Sequence, residues 1–178
     1  MLVNNAATWQ GVSVPDSPDA ALERQVAVNL LGPTRGIQAV LSHMRRQGGG
    51  VIINVGSIVG EIAGPRSGLY AATKLGLRGL SDALRRELGH EPIAVVLVEP
   101  GHIRTSPTKT HRLPMPRPEI VALAIADAIE RPRRRVIVPW PYRLLVLAAE
   151  LLPGLVDRVL ARPDHAHPVS SEPPPRRP

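Results

Sequence analysis

With 178 residues, 43% of them apolar and 21% charged, the chain has the size of one domain and enough apolar side chains to fold around a core, which excludes disorder for most of its length. It has no cysteine, so disulfides, thiolate metal sites and cysteine nucleophiles are excluded, and its only aromatics are Trp9, Tyr70, Trp140 and Tyr142, which argues against a binder that stacks single-stranded bases. The net charge of +7 is uneven: residues 1–100 carry 9 Lys/Arg against 8 Asp/Glu, residues 101–178 carry 13 against 7, and only Lys74 and Lys109 are lysines.

Met1–Asn5 reads as a strand end, and its apolar start runs straight into Asn4 and Asn5 with no cleavable secretory signal. Pro18–Gln47 reads as a long helix closed by Gly48–Gly50. Val51–Val55 is an apolar run after glycines, hence a buried strand; Ser67–Leu88 is helical; Ile93–Val98 is a second buried strand stopped by Pro100 and Gly101. Pro118–Glu130 is a helix, Arg135–Val138 a short strand, and Tyr142–Ala161 a last helix bent or broken at Pro153. The apolar stretch Leu144–Val156 is too short to span a membrane and is interrupted by Glu150 and Pro153. The expectation is a cytoplasmic protein with a folded region over 1–162 and a disordered Pro-, His- and Arg-bearing tail over 163–178.

Strands that are apolar throughout and alternate with helices argue for an α/β fold, a parallel sheet covered on both faces, with ligands at the carboxyl ends of the strands. Tyr70 and Lys74 are four apart on a predicted helix and share a face. An ammonium beside a phenol favours the phenolate, so Lys74 is expected to draw Tyr70 from its ordinary value near 10 toward neutrality and to fit it for proton exchange with an alcohol or carbonyl. On spacing alone a surface helix pair is the better reading. Ser57 follows the strand Val51–Val55, thirteen residues before Tyr70, and Asn29 lies inside a predicted helix where asparagine is a poor former.

These residues, with Asn4-Asn5-Ala6-Ala7 at the end of the first strand and Pro100-Gly101-His102-Ile103-Arg104-Thr105 after the Ile93–Val98 strand, occur in the order and at the spacing of the classical short-chain dehydrogenase/reductase family, which the chain resembles from Met1 to Val138. The resemblance implies a partial Rossmann-type doubly wound parallel sheet, strands four to seven of the family order, with flanking helices and a C-terminal helix. It implies an NAD(P)-dependent oxidoreductase interconverting an alcohol and a carbonyl. In it Tyr70 would be the general acid or base, Ser57 would hold the substrate oxygen, and Lys74 would tune Tyr70 and bind the nicotinamide ribose. Asn29 would hold a water linking Lys74 to solvent. Asn5 and Ala7 would line the adenosine-side ribose, and Pro100, Gly101, Ile103 and Thr105 the nicotinamide end. Ala7 stands where the family has glycine. The glycine-rich pyrophosphate turn, Gly-x-x-x-Gly-x-Gly, has no counterpart in the 178 residues. That leaves NAD against NADP unread, makes Met1–Asn5 an open sheet edge, and keeps a second reading in view: a non-catalytic, truncated remnant serving as a binding or oligomerising module.

Arg131-Pro132-Arg133-Arg134-Arg135 reads as a solvated loop, not a nucleic-acid contact, and the histidines show no metal-ligand grouping. The leucines of Tyr142–Ala161 suit packing over the substrate cleft or a subunit interface, or docking on an anionic membrane surface. Residues 106–118 correspond to the family's substrate-side lid. Leu113 and Met115, with Ile58, Val59 and Pro65, suggest an apolar substrate, and the two long helices match those that pair subunits in the family's homo-oligomers.

Overall fold

The computed structural model describes residues 1–103 and 116–161. The elements in chain order are β1 (Leu2–Asn4), α1 (Asp19–Val26), α2 (Gly32–Arg46), β2 (Gly50–Val55), α3 (Gly68–Glu87), β3 (Ile93–Pro100), α4 (Glu119–Glu130), β4 (Arg135–Val138), α5 (Tyr142–Leu151) and α6 (Pro153–Leu160). The four strands form one parallel sheet in the order β1-β2-β3-β4. Register runs through Val3↔Ile53, Ile53↔Val96 and Val98↔Val136.

Both faces of the sheet are dry, which is why the central strands read as unbroken apolar runs. Ile52, Ile93 and Val95 face α2 and α3 and pack with Ile37, Met44, Leu84 and Leu88. Ile53, Val55, Val96 and Val98 face the other way and pack with Ala128 of α4. Ile52, Ile53, Val96 and Val98 are wholly buried, each contributing roughly 1.5–3 kcal/mol of apolar transfer. A third group, Ile58, Ile137 and Val146, seats α5 beside β4.

The predicted helix over 18–47 forms, but with an internal change of pitch: α1 and α2 are joined by a π turn, Ala27–Leu31, in which the Gly32 amide reaches back to the carbonyl of Ala27. Past the end of α2 the chain turns through Gly48 and Gly49 at φ +81° and +142°. A side chain on Gly49 would also strike the Pro92 carbonyl oxygen, so glycine is required there on two counts. The last helix is two helices, broken at Leu152 ahead of Pro153.

One polar seam crosses this apolar interior. Asn4 Nδ2 donates to Asn54 Oδ1, Asn54 Nδ2 donates to Ser81 Oγ (both 2.8 Å), and Ser81 Oγ donates to the Leu77 carbonyl at 2.7 Å. Asn54 and Ser81 are wholly buried, and the seam satisfies their amide and hydroxyl groups as burial requires. The tract before β4 is the exposed loop expected over residues 131–134, and only Arg135, the first residue of β4, is drawn inward. Arg131 is exposed, but Arg133 pairs with Asp127, Arg134 with Asp82 and Arg135 with Glu99. The expected tail over 163–178, the lid residues Leu113 and Met115, and Thr105 lie outside the described residues.

Candidate active site

The carboxyl ends of β2 and β3 meet the start of α3. Gly56 donates its amide to the Val98 carbonyl at 2.7 Å, which holds the end of β2 against β3 and leaves Ser57 extended at φ −169°, ψ 149°. Ser57 caps the one-turn helix Ile58–Gly60, accepting from the Val59 amide at 3.2 Å, and its hydroxyl faces the Tyr70 phenol and favours the ionised form of that group.

Tyr70 lies in the first turn of α3 and Lys74 one turn later on the same face. Lys74 is 3% exposed. Its Nζ donates to the carbonyl of Val55, the last residue of β2, at 2.8 Å and sits 5.6 Å from the centroid of the Tyr70 ring. Burial lowers Lys74 from 10.5 to about 8.

The Tyr70 phenol differs from expectation. Its pKa is raised above 10: burial pushes it up, and the Ser57 hydrogen bond pulls the other way without prevailing. Lys74 does not draw it toward neutrality. The ammonium is directed at the Val55 carbonyl and lies over the ring, and desolvation disfavours both charged forms at once. At neutral pH the site therefore holds a protonated phenol beside an ammonium.

Asn29, wholly buried in the π turn, ties three segments together. Its Oδ1 accepts from the Thr8 amide at 2.8 Å, and its Nδ2 donates to the Thr8 carbonyl at 2.9 Å and to Thr73 Oγ1 at 3.1 Å. Thr73 in turn donates to the Tyr70 carbonyl at 2.8 Å. Both donor hydrogens of the amide are thus used on protein partners. A π turn at such a joint is in keeping with their concentration at functional sites.

Ser57, Tyr70, Lys74 and Asn29 are therefore brought together. Asn5 and Ala7 are exposed just beyond β1, and Pro100 is the last residue of β3, with Gly101 and Ile103 just beyond it; among the described residues no hydrogen bond joins their side chains to Tyr70 or Lys74. Gly101 donates its amide to the Val138 carbonyl at 2.7 Å and lies so close to the Tyr142 ring that a Cβ would overlap it.

Three features escaped the sequence reading. Trp9 sets its ring 6.5 Å from that of Tyr70, tilted by 56°. Arg66 takes φ +64° four residues before Tyr70 and donates its Nε to the Gly11 carbonyl at 2.8 Å. Asn54, a polar residue inside the apolar run Val51–Val55, was the visible sign of the buried seam.

The short chain dehydrogenase family profile matches residues 1–115. The chain is 34% identical over 178 residues to the uncharacterized oxidoreductase YbbO of Escherichia coli, covering 89% of this chain and 66% of that one. The bulky-bulky ketone specific alcohol dehydrogenase from Comamonas testosteroni superposes with a TM-score of 0.68 at 30% identity, covering 86% of this chain and 62% of that one. A metagenomic short-chain oxidoreductase solved in complex with NADP gives a TM-score of 0.65 at 29% identity over 78% of this chain and 60% of that one. The chain spans between 38% and 66% of the length of the curated relatives compared.

Proposed function

Because the chain belongs to the short-chain dehydrogenase family, we propose that it carries the proton-transfer half of an alcohol–carbonyl oxidoreductase that works with NAD or NADP. The observation that carries the reading is the meeting of Ser57, Tyr70 and Lys74 at the end of β2.

The residues fit the nicotinamide ribose. Lys74 has three N–H donors and uses one on Val55, leaving two, 5.6 Å from the centre of the Tyr70 ring, for a vicinal diol. Pro100, Gly101 and Ile103 border the same edge of the sheet and would flank the nicotinamide, and Asn5 and Ala7 would flank the more distant ribose. The cofactor, when bound, supplies or accepts the hydride.

In the reducing direction Tyr70 Oη hands its proton to the carbonyl oxygen while Ser57 Oγ holds that oxygen in place. Burial keeps the phenol protonated at neutral pH, which is the form an acid needs. In this reading the Lys74 ammonium, 5.6 Å from the ring centre, offsets part of the burial cost of the phenolate that remains without reversing the net upward shift. In the oxidising direction the same groups act in reverse. The Asn29 side chain is occupied by Thr8 and Thr73, so in this reading it fixes the corner of the site, and any water linking Lys74 to solvent is held by backbone groups of the π turn. Trp9 and Val59 would give the substrate an apolar wall, whereas Ile58, expected there from the sequence, is buried against Ile137 and Val146.

Tyr70→Phe in a chain extended to the relatives' length tests the proposal. Turnover should fall by about 10²–10⁴ with the circular dichroism unchanged; retained turnover would show that the proton comes from elsewhere.

A second reading, a module that pairs with other chains or a membrane surface, draws on the exposed leucines of α5 and α6: Leu144, Leu147, Leu151 and Leu155 are each half or more exposed. No helix among the described residues is long and apolar enough to cross a membrane. Soluble purification as a homo-oligomer that survives Leu151→Lys would count against this second reading.

A further inference from the structure

A desolvated ion network lies directly behind the Ser57 turn. Glu61 closes the one-turn helix that Ser57 opens: the Gly60 amide donates to the Ser57 carbonyl at 3.0 Å and the Glu61 amide to the Ile58 carbonyl at 2.9 Å. Ser57 and Glu61 are thus the two ends of one short, rigid turn.

The far end of that turn is clamped. The Glu61 side chain is 7% exposed and accepts from Arg78 Nη1. Arg135 Nη2 lies 3.1 Å from the other Glu61 oxygen, outside hydrogen-bond direction, so that contact is held by charge alone. Arg135 Nε donates to Glu99, whose carboxylate is almost wholly buried at the end of β3.

Arg78 stands four residues after Lys74 and eight after Tyr70, on the same face of α3. The Glu61–Arg78 pair therefore fastens the Ser57 turn to the helix that carries Tyr70. Gly60 lets the turn lie flat there: a Cβ on it would come within 3.0 Å of the Leu75 nitrogen and 3.2 Å of the Lys74 carbonyl carbon. A pair this buried holds its geometry tightly, because separating it strands a charge away from water.

We propose that Glu61 and Arg78, braced by Arg135 and Glu99, are positioning residues that set the Ser57 hydroxyl against the Tyr70 hydroxyl. The proposal rests on the reading of Ser57 and Tyr70 as the reacting pair, but its test needs no turnover, so failure of that reading (a catalytically competent Tyr70→Phe) is seen separately.

Tyr142→Phe leaves Tyr70 as the single tyrosine, whose ionisation is then followed by ultraviolet absorbance. Ser57→Ala should raise the Tyr70 midpoint by roughly half a pH unit, the value of one modest hydrogen bond. Glu61→Gln should also raise it, although removing a negative charge would by itself lower it. If Glu61 acts through Ser57, the double variant should move no further than Ser57→Ala alone. A Glu61→Gln midpoint that is unchanged or lower, or a double variant equal to the sum of the singles, overturns the proposal.

Should Glu61→Gln fail to fold or the chain unfold in alkali, Glu61→Asp and the ¹³Cζ resonance of Tyr70 at neutral pH read the same coupling. The resonance should move in the direction that Ser57→Ala moves it, and no movement overturns the proposal.

Discussion

Lys74 Nζ donates to the carbonyl of Val55 at 2.8 Å, so the ammonium that borders the Tyr70 ring also pins the end of β2 to α3. One side chain serves both packing and chemistry, and it is charged where water is nearly absent.

That placement gives a signed pH dependence. Burial holds Lys74 at about 8 in the folded chain against 10.5 ordinarily. Between those values the unfolded state binds more protons, so stability rises with pH there, by up to about 1.4 kcal/mol per pH unit. Below 8 both states keep the proton and the burial penalty stands in full. Tyr70 is raised above 10, so past that pH the folded state binds the extra proton and stability declines. Urea midpoints should climb from pH 8 to about 10, and Lys74→Met should abolish the climb. A flat wild-type profile in that window contradicts the assignment.

Asn29→Leu removes the partner of the Thr8 amide, the Thr8 carbonyl and the Thr73 hydroxyl. Stranding buried polar groups should destabilise the chain by about 2–4 kcal/mol. Chemical denaturation measures this, and a loss below the range of ordinary surface substitutions would mean that water replaces the amide.

Gly101→Ala forces a methyl group into the Tyr142 ring. Overpacking of this kind should cost about 1–3 kcal/mol. Combining it with Tyr142→Ala should be less damaging than the two effects added; simple additivity in the double variant would show that the ring is not what excludes the methyl group.

Calorimetric titration of the 178-residue chain with NADH or NADPH should show no micromolar affinity. Its residues suit the nicotinamide ribose but include no glycine-rich turn opening a helix after a strand, the feature that seats a pyrophosphate. Micromolar binding would mean that the nicotinamide end alone suffices.

The parts of this architecture that depend on local pattern were legible in the sequence. Val51–Val55 and Ile93–Val98 announce themselves because both sheet faces are buried, and the Tyr70–Lys74 spacing is a helical repeat that tertiary structure does not alter. What depended on desolvation or distant partners was not. The π turn exists where Asn29 is clamped between Thr8 and Thr73, 21 and 44 residues away. The direction of the Tyr70 shift is set by burial, which spacing does not encode. Arg135 ended a tract that resembled a solvated loop, yet its partners Glu61 and Glu99 are far off in sequence and wait in the interior.

The seam from Asn4 through Asn54 to Ser81 runs in one sense, each group giving its hydrogen to the next. An outermost strand of three residues would ordinarily fray first and trade its amide protons quickly. Here its final residue is moored across the neighbouring strand β2 to α3, the helix that covers this same face of the sheet, so Asn4 should be the slowest point on that border to open, and loosening it should require the neighbouring strand to loosen as well.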